Sequence, residues 1–242
     1  MENVILVTGA SRGIGRDIAK TLAKKGNIII ANYNRSMNEI NQLKEELLKN
    51  NIQIDTYKAD VSKYCEVQDL VNYTINKYGK IDVLINNAGI SQIKEFTQIS
   101  IEDWNNMINT NLNSVFYMTK EVSKYMINKK QGCIINISSI WGIEGASCES
   151  HYSVSKAGVD ALTKSLAKEL GPSNIRVNSI APGIIDTDMN KDLTSKDINN
   201  LKDEIPLERI GTPHDISKCV EWLIDDNYTT GQIIQINGGW YI

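Results

Sequence analysis

Short runs of nearly all-apolar residues recur along this 242-residue chain, each separated from the next by a longer amphipathic stretch. The runs are VILVT (4–8), IIIAN (28–32), IDTYK (54–58), VLINN (83–87), CIINIS (133–138), IRVNSIA (175–181) and IIQIN (233–237). A strand that is apolar throughout must be covered on both faces, which a parallel sheet achieves by laying crossover helices on each side. The intervening stretches 13–25, 37–50, 63–78, 101–129, 152–170 and 213–224 carry helical periodicity. Alternation of this kind predicts βαβ units in an α/β fold: a doubly wound parallel sheet of about seven strands with helices on both faces. No Pro/Gly-rich linker or low-complexity tract interrupts it, so one domain over 1–242 is expected. The polar, weakly periodic stretch 186–206 reads as a loop beside the ligand site, since it follows a strand C-terminus.

Composition narrows the function classes. A formal net charge of -3 lacks the basic excess that non-specific nucleic-acid binding needs. Cys65, Cys133, Cys148 and Cys219 are scattered, and with only His151 and His214 to add, no metal-ligand spacing is visible. Free thiols of a reducing compartment are expected. The chain runs from Met1 straight into the first strand, with no secretory leader and no apolar run of membrane-spanning length. A soluble, cytoplasmic protein with no membrane or nucleic-acid partner is the expectation.

TGASRGIG (8–15) directly follows the first strand and opens a helix. Gly9, Gly13 and Gly15 allow a tight turn, close approach of backbone N–H groups to a pyrophosphate, and packing of helix on sheet. That is the cradle of a Rossmann-type dinucleotide site, although turns need glycine for their own sake. NAD-preferring sites carry an acid at the end of the second strand; here ANYNRS (31–36) has Asn32 in that place, with Arg35 close behind and Arg12 in the loop. Two cations and no carboxylate suit a 2′-phosphate and predict NADP(H). The other reading is that both arginines simply face solvent.

ESHYSVSK (149–156) puts Tyr152 and Lys156 on one helical face. A phenol ionises near pH ~10, and a neighbouring ammonium can lower that value and make it a usable acid. Ser139 ends the fifth strand, at the same crevice as the glycine loop. Alone, a tyrosine and a lysine four apart are common on ordinary amphipathic helices.

The ordered set TGASRGIG, NNAG (86–89), Asn111, Ser139, YSVSK (152–156) and PGIIDT (182–187) resembles the short-chain dehydrogenase/reductases over essentially the whole chain. The resemblance implies Tyr152 as general acid and Ser139 as the group that orients the substrate carbonyl. Lys156 would hold the nicotinamide ribose and depress the tyrosine pKa, and Asn111 would anchor a water relay. It further implies cofactor contacts from Ser11, Arg12, Ile14 and the glycines of the first loop, and from Asn32, Asn34, Arg35 and Ser36 after the second strand. Asp60 and Val61 would meet the adenine. Asn87, Ala88 and Gly89 would wall the cofactor site, with Pro182, Gly183, Ile185 and Thr187 on the nicotinamide side. Read from the residues alone, Asn111 could instead bridge a helix kink and Asp60 could cap the next helix.

Within that family, NYNRS, GIIDTDM (183–189), IPLERIGTPHDI (205–216) and INGGWYI (236–242) look like the bacterial 3-oxoacyl-acyl-carrier-protein reductases. This implies NADPH-dependent reduction of a β-ketoacyl thioester, on acyl carrier protein or CoA, in fatty-acid elongation. The carrier would dock on a basic patch near the site entrance, and the enzyme would be a homotetramer joined through its long helices and its tail. Such reductases tend to carry basic residues before the fifth and sixth strands. Lys129 and Lys130 meet the first place, but Ser173 and Asn174 occupy the second. SSIWGIEGASCESHYS (138–153) also departs, putting Trp141, Glu144, Glu149 and His151 around the site. This wording looks like a branch that reduces an aminopentanone group on elongation factor P, where a carboxylate would suit an amine. Trp141, Glu149 and Met189, with Ser139, are the substrate-pocket candidates, while Glu149 can equally be read as the cap of the helix behind it. A dinucleotide-binding regulator without turnover is the non-enzymatic alternative, disfavoured by the intact Asn111, Ser139, Tyr152 and Lys156.

Overall fold

The computed structural model describes residues 2–191 and 193–242. Its seven strands are β1 (Val4–Val7), β2 (Ile28–Tyr33), β3 (Asp55–Lys58), β4 (Val83–Asn86), β5 (Gly132–Ile137), β6 (Ile175–Pro182) and β7 (Ile233–Ile236). They form one sheet in the order β3-β2-β1-β4-β5-β6-β7, parallel at every pairing. Every residue of β1, β4 and β5 is buried, as apolar runs covered on both faces require.

Alternate strand residues feed two cores. Ile5, Val7, Ile29, Ala31, Ile85 and Ile135 pack against α1 (Gly13–Lys24), α2 (Met37–Leu48) and α8 (Pro213–Asp225), through Ile18, Leu22, Ile40, Leu43, Val220 and Leu223. Val4, Leu6, Ile30, Leu84, Ile134 and Val177 face the other way. They meet Leu70 and Val71 of α3 (Tyr64–Tyr78), Met118, Val122 and Met126 of α5 (Ser114–Lys129), and Leu170 of α6 (Ser150–Leu170). Strand order reverses between β1 and β4, so a crevice opens there at the strand C-termini, where open α/β sheets bind ligands.

Two features depart from expectation. The stretch 101–129 is not one regular helix: α4 (Ile101–Ile108) passes through a π-helical turn, Asn109–Asn113, before α5. Stretch 186–206 is not structureless, because α7 (Ser195–Glu204) lies inside it, started by a capping box in which Thr194 and Asp197 exchange hydrogen bonds. The helix is weakly periodic because it buries none of its residues, so hydrophobic spacing does not mark it.

Candidate active site

The loop between β1 and α1 is held open by backbone contacts that leave no room for side chains. Gly9 has φ +64°, and a Cβ on Gly15 would stand 2.3 Å from Asn87 Nδ2 and 2.4 Å from the Gly9 carbonyl. Thr8 accepts the backbone N–H of Asn87 and of Ala88 on its hydroxyl, at 2.9 and 3.0 Å. The Asn87 amide donates back to the carbonyls of Thr8 and Gly9. Thr187 closes the opposite side, its Cγ2 lying 3.4 Å from where a Gly13 Cβ would be. A strand, a glycine turn and a helix N-terminus in this arrangement fit a pyrophosphate. Ser11 is buried in the loop, and Ile14 packs against the core with its α1 neighbours.

Beyond β2 the two cations are available. Arg12 and Arg35 are exposed, and among the described residues neither guanidinium has a hydrogen-bond or carboxylate partner. Asn34 and Ser36 lie beside Arg35 at the surface. Asn32 is different: 2% exposed, it donates to the Ala59 carbonyl at 3.0 Å and accepts from Gly9 N–H at 3.4 Å. Its side chain clamps the glycine loop to the end of β3 and does not face a ligand. Asp60 accepts from the N–H and the hydroxyl of Ser62, at 3.1 and 2.6 Å. Burial works to raise the Asp60 pKa, but those two hydrogen bonds, Lys63 and Asn34 outweigh it and hold the carboxyl below its ordinary value. Val61 beside it is buried. Ile185 is 4% exposed and belongs to the core, and its carbonyl accepts from the Asn190 amide at 2.7 Å, so its side chain is spent on packing and its carbonyl on the following turn. Pro182 closes β6, and Gly183 N–H is spent on the Ile236 carbonyl.

Across the crevice, three elements bring the acid–base candidates together. Tyr152 and Lys156 lie one turn apart on α6, 7% and 5% exposed, and Ser139 leaves the end of β5 at 7%. The Lys156 ammonium donates to the Ile137 carbonyl at 2.8 Å and sits 5.7 Å from the Tyr152 ring centroid. Asn111 occupies the π turn, the kind of distortion that often marks a functional position. Its amide accepts from Ile90 N–H at 2.8 Å and donates to the Ile90 carbonyl and to Ser155 Oγ. Asn111 and Lys156 converge on Gly89, where an added Cβ would stand 3.3 Å from Asn111 Oδ1 and 3.6 Å from Lys156 Nζ.

Burial dominates the titration of this cluster. It pushes the Tyr152 phenol up to about 12, against the Ser139 hydroxyl, which favours the phenolate, and with Glu149, which disfavours it. The sequence-based expectation that Lys156 depresses the phenol is therefore not the governing influence here. Lys156 itself is pushed down to about 8 by the same burial, with Asp160 holding it up.

A family profile described as short chain dehydrogenase matches residues 3–198. The chain is 40% identical over 243 residues to a 3-oxoacyl-(acyl-carrier-protein) reductase of Buchnera aphidicola, covering 100% of this chain and 98% of that one. It is also 40% identical to like-named reductases of Synechocystis sp. and Thermotoga maritima, over 98% of this chain and 96% of each of those. The chain belongs to the short-chain dehydrogenase family. As such it is an oxidoreductase of the ketone–alcohol pair that uses a nicotinamide dinucleotide, and the cradle and free arginines described above fit that group.

Ser155 and Asp160 of this short-chain dehydrogenase were not legible as site residues, whereas His151 was already expected around the site. Ser155 is fully buried and donates to the Tyr152 carbonyl at 2.7 Å while receiving Asn111. His151 is fully buried, with Nε2 3.1 Å from Gln92 Oε1. Gln92 donates its amide to Asp103, so its oxygen must accept, and the His151 ring proton is fixed on Nε2. Asp160, 6% exposed, accepts from Ser179 at 2.8 Å one turn beyond Lys156. Only its i,i+4 spacing from Lys156 hinted at this.

Of the substrate-pocket candidates, Met189 is 52% exposed on the turn Asp188–Asn190. Trp141 follows Ser139 in a 3-10 turn, its N–H donating to Ser139 Oγ at 3.2 Å. Glu149 stands at the N-cap position of α6 but makes no side-chain cap bond. Its carboxyl is half-buried, without a hydrogen-bonding partner among the described residues, and burial raises its pKa. Lys129 and Lys130 lie just before β5, at the N-terminal edge of the sheet, while Ser139 lies past its C-terminal end. Six strand residues at ~3.3 Å each separate the two edges, so these lysines do not form a basic patch at this chain's own crevice. Lys129 is moreover paired with Asp82 at 2.6 Å.

Proposed function

We propose that the protein reduces the ketone of a 3-oxoacyl thioester, carried on acyl carrier protein or CoA, to the 3-hydroxyacyl form with NADPH, a step of fatty-acid elongation in the cytoplasm. The carrying observation is the buried Ser139–Tyr152–Lys156 cluster facing a glycine cradle that ends in two unpaired arginines. Relatives alike over their whole length bear the name of that activity. When bound, NADPH would supply the hydride, and Arg12 and Arg35 would hold its 2′-phosphate. Ser139 donates to the carbonyl oxygen and holds the face open to attack. Tyr152 then gives its phenol proton to the developing alkoxide. A phenol held near 12 stays protonated at neutral pH, and an alkoxide is a much stronger base than a phenolate, so the transfer runs downhill. Lys156 holds the ribose hydroxyls, and Asn111 fixes the Ile90 backbone beside it. The assembly is a homotetramer, as the resemblance implies.

A second reading is favoured by one observation, the unpartnered carboxylate of Glu149 close enough to Tyr152 to disfavour its ionisation. Such a group suits a ketone that carries an amine, as in an aminopentanone-modified elongation factor P. The deciding experiment follows NADPH oxidation with acetoacetyl-CoA beside that modified protein. Turnover of the thioester supports the first reading; a silent thioester with an active modified protein replaces it with the second.

A further inference from the structure

The chain ends GGWYI, three apolar side chains whose cover an oligomer contact was expected to supply. Two of the three are covered by the chain's own active-site turn. The Trp240 ring lies 5.4 Å from the Trp141 ring at 66°, and Tyr241 lies 5.6 Å from it at 70°, both edge-to-face, while Trp240 and Tyr241 are 5.2 Å apart. These are favoured aromatic geometries, and all three rings keep part of their surface open. Trp141 is two residues from Ser139 and is bound to its hydroxyl through the backbone.

The same tail holds the other side of the crevice. Trp240 Nε1 donates to Glu204, the last residue of α7, at 3.2 Å, and Leu207 N–H donates to the Gly238 carbonyl. The tail is itself locked, with Asn237 donating to the Tyr241 carbonyl at 2.7 Å and accepting from Gly239 N–H at 2.9 Å. It therefore bridges the turn after Ser139 and the helix that follows β6, the two segments that leave the strand C-termini on the substrate side.

We propose that Trp240 and Tyr241, stacked on Trp141, form the outer wall of the substrate pocket and limit how long a chain the ketone can carry beyond its carbonyl. This rests on the reading that the Ser139–Tyr152 crevice takes a ketone. A fixed aromatic wall discriminates by the room it denies: each methylene it excludes is worth roughly tenfold or more in relative kcat/KM. The wall also acts on Ser139 only through Trp141, so the tail residues are specificity-determining rather than catalytic.

The test compares NADPH-dependent reduction of ethyl acetoacetate and ethyl 3-oxodecanoate, ketone esters that need no carrier, so the wall is probed independently of the carrier assignment. In the doubly substituted Trp240→Ala/Tyr241→Ala protein, kcat/KM for the long ester relative to the short one is expected to rise about tenfold or more, with the NADPH Kd unchanged. Trp240→Phe, which keeps one ring but loses the bond to Glu204 and part of the indole surface, is expected to shift the ratio the same way but less, and serves if the double variant fails to fold. An unchanged ratio in the folded variants, whether both rates fall together or only the oligomeric state changes, overturns the proposal. Failure of the parallel acetoacetyl-CoA assay with the ester series active would remove the thioester reading and leave the wall standing.

Discussion

Lys156 carries a charge that the fold makes expensive, and that cost can be read as a function of pH. It is 5% exposed, and its pKa falls from the ordinary 10.5 to about 8 because burial disfavours the ammonium. At pH 7 both native and unfolded chains hold the proton, so the native state bears the full difference, about 3 kcal/mol from a shift worth ~1.4 kcal/mol per pH unit. Between about 8 and 10.5 the native lysine sheds a proton that the unfolded chain keeps. The unfolded state then binds more protons, so this group's contribution to stability rises with pH. By pH 9 the remaining cost is about 2 kcal/mol. Lys156→Met replaces the ammonium by a neutral side chain of similar length and has no such dependence. Its other consequences, altered packing and an orphaned Ile137 carbonyl, are independent of pH and cancel when two pH values are compared. Urea denaturation of both proteins at pH 7 and 9, at one protein concentration, is expected to show the variant's stability relative to wild type shrinking by about 1 kcal/mol on going to pH 9. Stabilities that run parallel over that interval would refute the buried-ammonium reasoning, whatever the variant's activity.

Tyr152→Phe should fold and bind NADPH while turnover falls by about 10²–10⁴-fold, the usual share of a positioned general acid; wild-type rates would take Tyr152 out of that role. Replacing Arg12 and Arg35 together by alanine should raise the NADPH KM about tenfold or more and leave the NADH KM nearly unchanged, because only the 2′-phosphate loses a charge-assisted partner; equal effects on the two would sink the assignment. Gly15→Ala drives a Cβ to 2.4 Å from the Gly9 carbonyl. A loss of about 1–3 kcal/mol, with NADPH affinity lost alongside, is expected by thermal melting and cofactor titration.

Much of the scaffold was legible. Runs such as VILVT and CIINIS declared strands buried on both faces, and β1, β4 and β5 are buried at every residue. The capping residues Thr194 and Asp197, three apart, mark the start of α7 in the sequence, while its missing apolar face hides the rest of the helix. The glycine loop was identifiable because strand–turn–helix order puts a ligand cradle at strand C-termini in any sheet of this kind, whereas the roles of Asn111, Ser139, Tyr152 and Lys156 came from the resemblance to the short-chain dehydrogenases. What spacing could not reveal was the direction of individual side chains. Asn32 was expected among the cofactor contacts, yet its side chain turns inward and donates to the Ala59 carbonyl, 27 residues on. Ile185 sits in a binding motif and spends its side chain on the core.

The sequence by itself therefore made the architecture readable from local periodicity, and the rule that parallel strands carry their loops to one end pointed to where a ligand would sit. Tertiary structure decided everything that depends on distance between remote segments. It put Lys129 at the far edge of the sheet from Ser139, left Glu149 half-buried and unpartnered, and made burial rather than a neighbouring ammonium the governing influence on Tyr152. It also folded the last aromatic residues onto Trp141, about a hundred positions away. Desolvation and ring contact are properties of what surrounds a group in space, and a chain acquires those surroundings only when it closes on itself.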